Sequence, residues 1–245
     1  MIPLRDSVPA SRPPLVTYTL VAACALVFAL QLADPDGLLV EDFAMVPAKV
    51  LGEGRGLPAA AVPEWATLLT CTFLHGGWLH FLGNMLFLWI FGDNVEDRFG
   101  RLPFLLFYLG AGVAASLAHL WTAPGSAVPT VGASGAIAGV MGAYALLYPR
   151  ARVQMLVVWG FFVDLVVLPA PFFLGYWFVL QLLQGSLAYG HEGGGVAWWA
   201  HIGGFVLGAG VALLLRLAHR LRPAPAERSL ASRRFAPRRN RSRHW

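Results

Sequence analysis

Apolar residues along this chain gather into runs too long and too continuous for the amphipathic elements of a water-soluble core. A helix that crosses a bilayer needs about 20 mostly apolar residues. Six stretches fit, at roughly 15–33, 78–94, 102–121, 133–149, 170–188 and 197–217. The first outruns the apolar core of a secretory signal and has no small-x-small cleavage site behind it, so it reads as a retained span. Between the first two runs lies a long segment, 34–77, rich in Pro and Gly. Its Trp65, with Trp78 at its end, points to a loop lying against the membrane interface. Residues 151–169 are apolar enough to tempt a seventh span. Asp164 would be costly near mid-bilayer, and the β-branched runs VQMLVV and VDLVV predict an interfacial hairpin instead.

Composition agrees with the pattern. The chain is 57% hydrophobic and only 13% charged, against about 25% charged in an ordinary soluble domain. Of its 18 Lys and Arg, 17 are Arg, and ten of those lie between Arg216 and Arg243. Arg5 and Arg12 precede the first run, Arg98 and Arg101 follow the second, and Arg150 and Arg152 follow the fourth. The third-to-fourth and fifth-to-sixth connections carry no Lys or Arg, the latter only His191 and Glu192. The positive-inside rule then puts both termini in the cytoplasm, which six spans satisfy and seven would not. The fold class expected is an all-α membrane protein, a six-transmembrane-helix bundle with a long membrane-associated first loop. It divides into a cytoplasmic segment 1–14, a six-span body 15–217 and a basic, disordered cytoplasmic tail 218–245. The tail's arginines suit anionic lipid. Few aromatics are interleaved among them, so nucleic acid is not an expected partner. Cys24 and Cys71 sit in no metal or redox spacing and read as small buried residues.

Three segments hold polar groups where hydrocarbon should exclude them, and such residues are functional candidates. Gly132-Ala133-Ser134-Gly135 opens the fourth run. Alone it could be a small-residue packing surface, since Gly135 and Gly139 form a small-xxx-small pair. Ala200-His201 opens the sixth run, and Gly204 and Gly208 clear one face of it for close approach. Ser134 lies 16 residues before Arg150 and His201 lies 15 before Arg216. At about 1.5 Å per residue both sit roughly 22–24 Å above the cytoplasmic edge. The third segment runs from His75 to Asn84. His80 and Asn84 are four apart and share a helix face, and Asn84 lies 14 residues before Arg98, near the same depth. The spacing is not H-E-x-x-H and no acid lies close by, which argues against a metal. A serine with a histidine base is a sufficient hydrolytic pair. Asn84, His80 and the Ser134 backbone N–H could stabilise an oxyanion. No Asp or Glu is placed to orient His201, so a dyad is expected, with no cofactor.

H-x-x-x-x-H-x-x-x-N, G-A-S-G and A-H-x-x-G-x-x-x-G, in this order on alternate runs, resemble the rhomboid intramembrane serine proteases over about residues 15–217. The resemblance implies a Ser134–His201 dyad, an oxyanion site using His80 and Asn84, and single-span membrane proteins as substrates. It makes His75 structural, and Glu96-Asp97-Arg98 an ion pair or cap at the cytoplasmic end. The short N-terminal segment fits a bacterial plasma-membrane protein. Two features depart from the family. Ala138 stands where some relatives carry an aromatic that packs on the catalytic histidine, and the first loop lacks a Trp-Arg pair. Two other classes compete: an inactive relative that binds transmembrane clients, and a transporter or channel. The last should show inverted repeats or charge rings, and the sequence has neither.

Overall fold

A computed structural model describes residues 2–160, 162–188 and 197–224. The connection bearing His191 and Glu192, and tail residues 225–245, lie outside these. The elements run β1 (Ile2–Asp6), α1 (Leu15–Leu32), α2 (Leu38–Phe43), α3 (Pro47–Val50), α4 (Thr67–Thr70), α5 (Trp78–Phe99), α6 (Arg101–Thr122), α7 (Ser134–Leu147), β2 (Arg152–Trp159), β3 (Phe162–Pro169), α8 (Ala170–Ala188) and α9 (Trp198–Leu217). The six long helices coincide with the six apolar runs. Among the described residues, three of them, α1, α6 and α9, are long and apolar enough by length and composition to cross a membrane, and α7 is a shorter apolar helix.

α7 is the hub, buried along nearly its whole length and packed on α5, α6, α8 and α9. Its sequence, SGAIAGVMGAYALL, explains this position: the small residues admit neighbouring backbones, and Ile137, Met141, Tyr144 and Leu147 fill the space between. Phe91 of α5 meets the Tyr144 ring edge-on with centroids 4.9 Å apart. Glu96 of α5 accepts hydrogen bonds from the Val16 and Thr17 backbone N–H groups, at 3.1 and 2.8 Å. These are first-turn donors of α1 with no partner inside their own helix, so Glu96 acts as a cap. Gln31 at the other end of α1 exchanges two hydrogen bonds with the backbone of His75, which ties down the end of the first loop.

The fold is not purely helical. Residues 151–169 form the expected hairpin, β2–β3, turning at Gly160 with φ 60°. The N-terminal segment adds β1 to its edge, making a three-stranded antiparallel sheet in the order β1-β2-β3. Five residues, IPLRD, are too short to declare an alternation; only register against β2 makes them a strand. One face of β2 packs inward through Val153 and Met155, both fully buried. The tail also starts in an ordered way. The Arg222 backbone N–H donates to the Arg98 carbonyl at 2.9 Å, and the Arg222 guanidinium lies over Gly100.

Asp6 ends β1 against the bundle. Its carboxylate accepts from Asn94 Nδ2 at 2.9 Å and from the Tyr144 hydroxyl. Burial raises its pKa to about 6, against the opposing effect of the Tyr144 hydrogen bond. A carboxyl with a raised folded-state pKa binds more protons folded than unfolded, so its contribution to stability falls as pH rises from the ordinary carboxylate range through about 6. Asp6→Asn keeps an acceptor and removes that cost. The variant is expected to melt higher than the parent at pH 8, with the advantage gone by about pH 4. A lower melting temperature at pH 8 would contradict this.

Candidate active site

Ser134 is the first residue of α7, where N–H groups have no carbonyl a turn earlier and the helix dipole favours negative charge. His201 lies in the first turn of α9, 8% exposed. The two come together across the α7–α9 contact, with His201 Nε2 2.8 Å from Ser134 Oγ. That contact is made of glycine. A Cβ built on Gly204 would run into the Gly135 carbonyl, and one on Gly208 into the Gly139 carbonyl. Gly135 and Gly139 in turn open α7 to α6, where added Cβ atoms would meet Ala115 and Ala111. Leucine at 208 would therefore have to push the helices apart, at about 1–3 kcal/mol. It should cost activity more than stability, because a displacement of about 1 Å misaligns a reacting pair. Turnover and melting temperature of Gly208→Leu, read on one preparation, test this; full activity would contradict it.

α5 brings two polar groups to the same place. His80 accepts at Nδ1 from the Gly76 backbone N–H, at 3.2 Å. Its proton is therefore on Nε2, and that edge of the ring lies over Gly132, next to Ser134. Gly132 has φ 128° and no room for a side chain under the imidazole. Asn84 is 8% exposed, and its Nδ2 is buried without a hydrogen-bond partner among the described residues. A buried amide donor left unpaired is costly, and it is available to a group that arrives with negative charge. His75 is buried in an aromatic setting, edge-on to Phe28, His80 and Phe81. Desolvation, then the charge of His80, takes its pKa down to about 4, so it is neutral at physiological pH. Among the described residues no three His, Cys, Asp or Glu side chains gather as a metal site would require.

What surrounds His201 was not legible at the level of motifs. Gln181 of α8, 5% exposed, has Oε1 2.7 Å from His201 Nδ1. Trp177, one turn earlier on α8, lies against the imidazole with centroids 5.7 Å apart, and Trp198 meets it edge-on at 6.3 Å. These rings occupy the role left open by Ala138. A signal existed: Gln181 is a polar residue in the middle of an apolar run, four after a tryptophan.

A rhomboid domain matches residues 62–218, which takes in α5 to α9 with His75, His80, Asn84, Ser134, Gln181 and His201. The chain is 32% identical to the rhomboid protease GluP of Bacillus subtilis over 203 residues, 82% of this chain and 35% of that protein. It is 32% identical to the chloroplastic Rhomboid-like protein 11 of Arabidopsis thaliana over 157 residues, covering 62% of this chain and 53% of the relative. It is 34% identical to the putative rhomboid protease YdcA of Bacillus subtilis over 131 residues, covering 54% and 61%. The chain thus spans roughly a third to three fifths of the length of these relatives. A rhomboid domain over more than half of the chain, with apolar helices able to cross a membrane, makes this protein a member of the rhomboid family of integral membrane proteins.

Proposed function

We propose that this protein is a serine endopeptidase that hydrolyses peptide bonds in or near transmembrane segments of other membrane proteins. The observation that carries the reading is the 2.8 Å approach of His201 Nε2 to Ser134 Oγ inside a small-residue helix contact. Ser134 Oγ attacks the scissile carbonyl and gives its proton to His201 Nε2. The new oxyanion takes hydrogen bonds from His80 Nε2–H, Asn84 Nδ2 and the Ser134 backbone N–H. His201 then protonates the leaving amine, and water, deprotonated by the same nitrogen, releases the acyl group from Ser134. A fluorophosphonate that reacts with activated serines should label Ser134 of the purified protein and not label the His201→Ala variant. Absence of labelling in the parent protein would favour the alternative, an inactive relative that binds transmembrane clients.

The site lies below the membrane surface on this reading. α7 has 14 residues, about 21 Å at 1.5 Å each, short of the ~30 Å hydrocarbon core. With its C-terminal end at the cytoplasmic face, marked by Arg150 and Arg152, Ser134 stops several ångströms below the outer face. All six long helices then cross, both termini are cytoplasmic, and residues 218–245 form a basic tail. The match to a bacterial protease over 82% of the chain supports a bacterial plasma membrane, although chloroplast and mitochondrial relatives match as well. A topology reporter after Trp245 should read cytoplasm, and one within 123–131 should read outside. A C-terminal reporter reading outside would overturn the six-span arrangement.

A further inference from the structure

The contact between Gln181 and His201 joins two helices at the one atom that decides which way the histidine works. Imidazole has two nitrogens, and the partner of one sets the protonation of the other. For Nε2 to take the Ser134 proton, the ring proton must sit on Nδ1. An acceptor at 2.7 Å from Nδ1 favours that tautomer, and Gln181 Oε1 stands there. A carboxylate could do the same, but an isolated charge in a bilayer-embedded core carries a large desolvation cost. A neutral amide orients the ring without it. Trp177 and Gln181 are four apart, so they share one face of α8. That face supplies both the in-plane acceptor and a ring against the imidazole, and Trp198 closes the other approach. With Gln181 5% exposed, water has little access to compete for Nδ1.

We infer that Gln181 is the positioning residue of His201, holding it in the Nδ1–H tautomer so that the site works as a Ser–His–Gln relay. This rests on the reading of Ser134 and His201 as nucleophile and base. When His201 takes the serine proton, Oε1 goes on accepting from Nδ1–H, and the relay stores no charge on α8. The opposite orientation of the amide, with NH₂ toward Nδ1, would put the proton on Nε2 and turn the base into a donor facing Ser134. Among the described residues, the titratable groups whose charge reaches His201 are His80 on α5 and His119 on α6. α8 brings it only neutral groups.

The test compares the full-length protein with Gln181→Met, Gln181→Glu and His201→Ala, measuring kcat, KM, the pH profile of kcat/KM and melting temperature with a tagged single-span substrate. Gln181→Met keeps volume and loses the acceptor. Its kcat should fall about ten- to hundredfold, the worth of a hydrogen bond to a charged group, with KM little changed. Gln181→Glu keeps an acceptor oxygen. It should recover much of the rate, with the acid limb of the profile displaced because the imidazolium now faces a carboxyl group. Gln181→Met with parental kcat and pH profile, beside a dead His201→Ala, would overturn the positioning role while leaving the base intact. A lower melting temperature with unchanged rate per folded molecule would do the same, since it marks a helix tether only. If Gln181→Met does not fold, the Gln181→Glu profile decides: an acid limb at the parental pH overturns the proposal. An active His201→Ala would instead remove the reading beneath it.

Discussion

Ser134→Ala and His201→Ala are each expected to reduce cleavage of a transmembrane substrate to background, and the double variant to be no worse than either. The reason is that the two atoms 2.8 Å apart act as one unit. Without the imidazole the hydroxyl keeps its proton, and without the hydroxyl the imidazole has nothing to activate. Removing one member of such a pair costs about as much as removing both, on the order of 10⁶ in rate. Neither alanine opens a helix contact, because α7 and α9 meet through Gly135, Gly139, Gly204 and Gly208 rather than through these side chains. Melting temperatures should therefore stay near the parental value. His201→Ala also leaves the Gln181 amide without its partner, so it should lose more stability than Ser134→Ala does. Substantial proteolysis by either single variant would sink the assignment.

Asn84→Ala is expected to be crippled but not dead. Its Nδ2 is buried with no partner among the described residues, so the amide adds little to stability and is free to meet an oxyanion. Loss of one such donor typically costs about 2.7–4 kcal/mol, or 10²–10³ in rate. His80 Nε2–H and the Ser134 N–H remain, so the acyl-enzyme should still form at Ser134, only slowly. Asn84→Asp should be worse, since a carboxylate repels the developing charge. The competing role for Asn84 is to tie α5 to a neighbour. The missing partner at Nδ2 argues against it, and the measurement separates the two: a tether loses melting temperature and keeps its rate per folded molecule. Parental turnover in a stable Asn84→Ala protein would take Asn84 out of the site.

The proposed Gln181 relay and the proposed Asn84 donor differ in how far the sequence revealed them. Asn84 stands four residues from His80 in a polar-studded start of an apolar run, and helical periodicity alone puts the pair on one face. Gln181 stands among Phe, Val, Leu and Trp with Gln184 three residues on, and its partner is 20 residues away across a connection the chain pattern does not constrain. Periodicity is a property within an element, so it cannot say which face of α8 meets which face of α9. The N-terminal strand escaped notice for a related reason. Ile2–Asp6 pairs with residues about 150 positions away, and nothing local in five residues distinguishes a strand from an extended tail. Glu96 shows the same limit. The choice between an ion pair with Arg98 and a cap was settled by α1, whose first-turn N–H groups come to it across 79 and 80 positions.

By itself the sequence determined the solvent, the helices and the candidate chemistry. Long apolar runs have to lie in hydrocarbon, the β-branched stretch 151–169 prefers a hairpin, and polar side chains in apolar runs need a reason to be there. Local physics suffices for each, because each depends on residues within one element. The tertiary structure alone decided what those elements do to one another. It made α7 the buried hub, stacked glycine on carbonyl so that Ser134 and His201 meet, left the Asn84 amide unpaired, and turned α8 so that Gln181 and Trp177 face the histidine. Those outcomes depend on packing between segments far apart in the chain, where the close approach of two backbones is set by both partners at once.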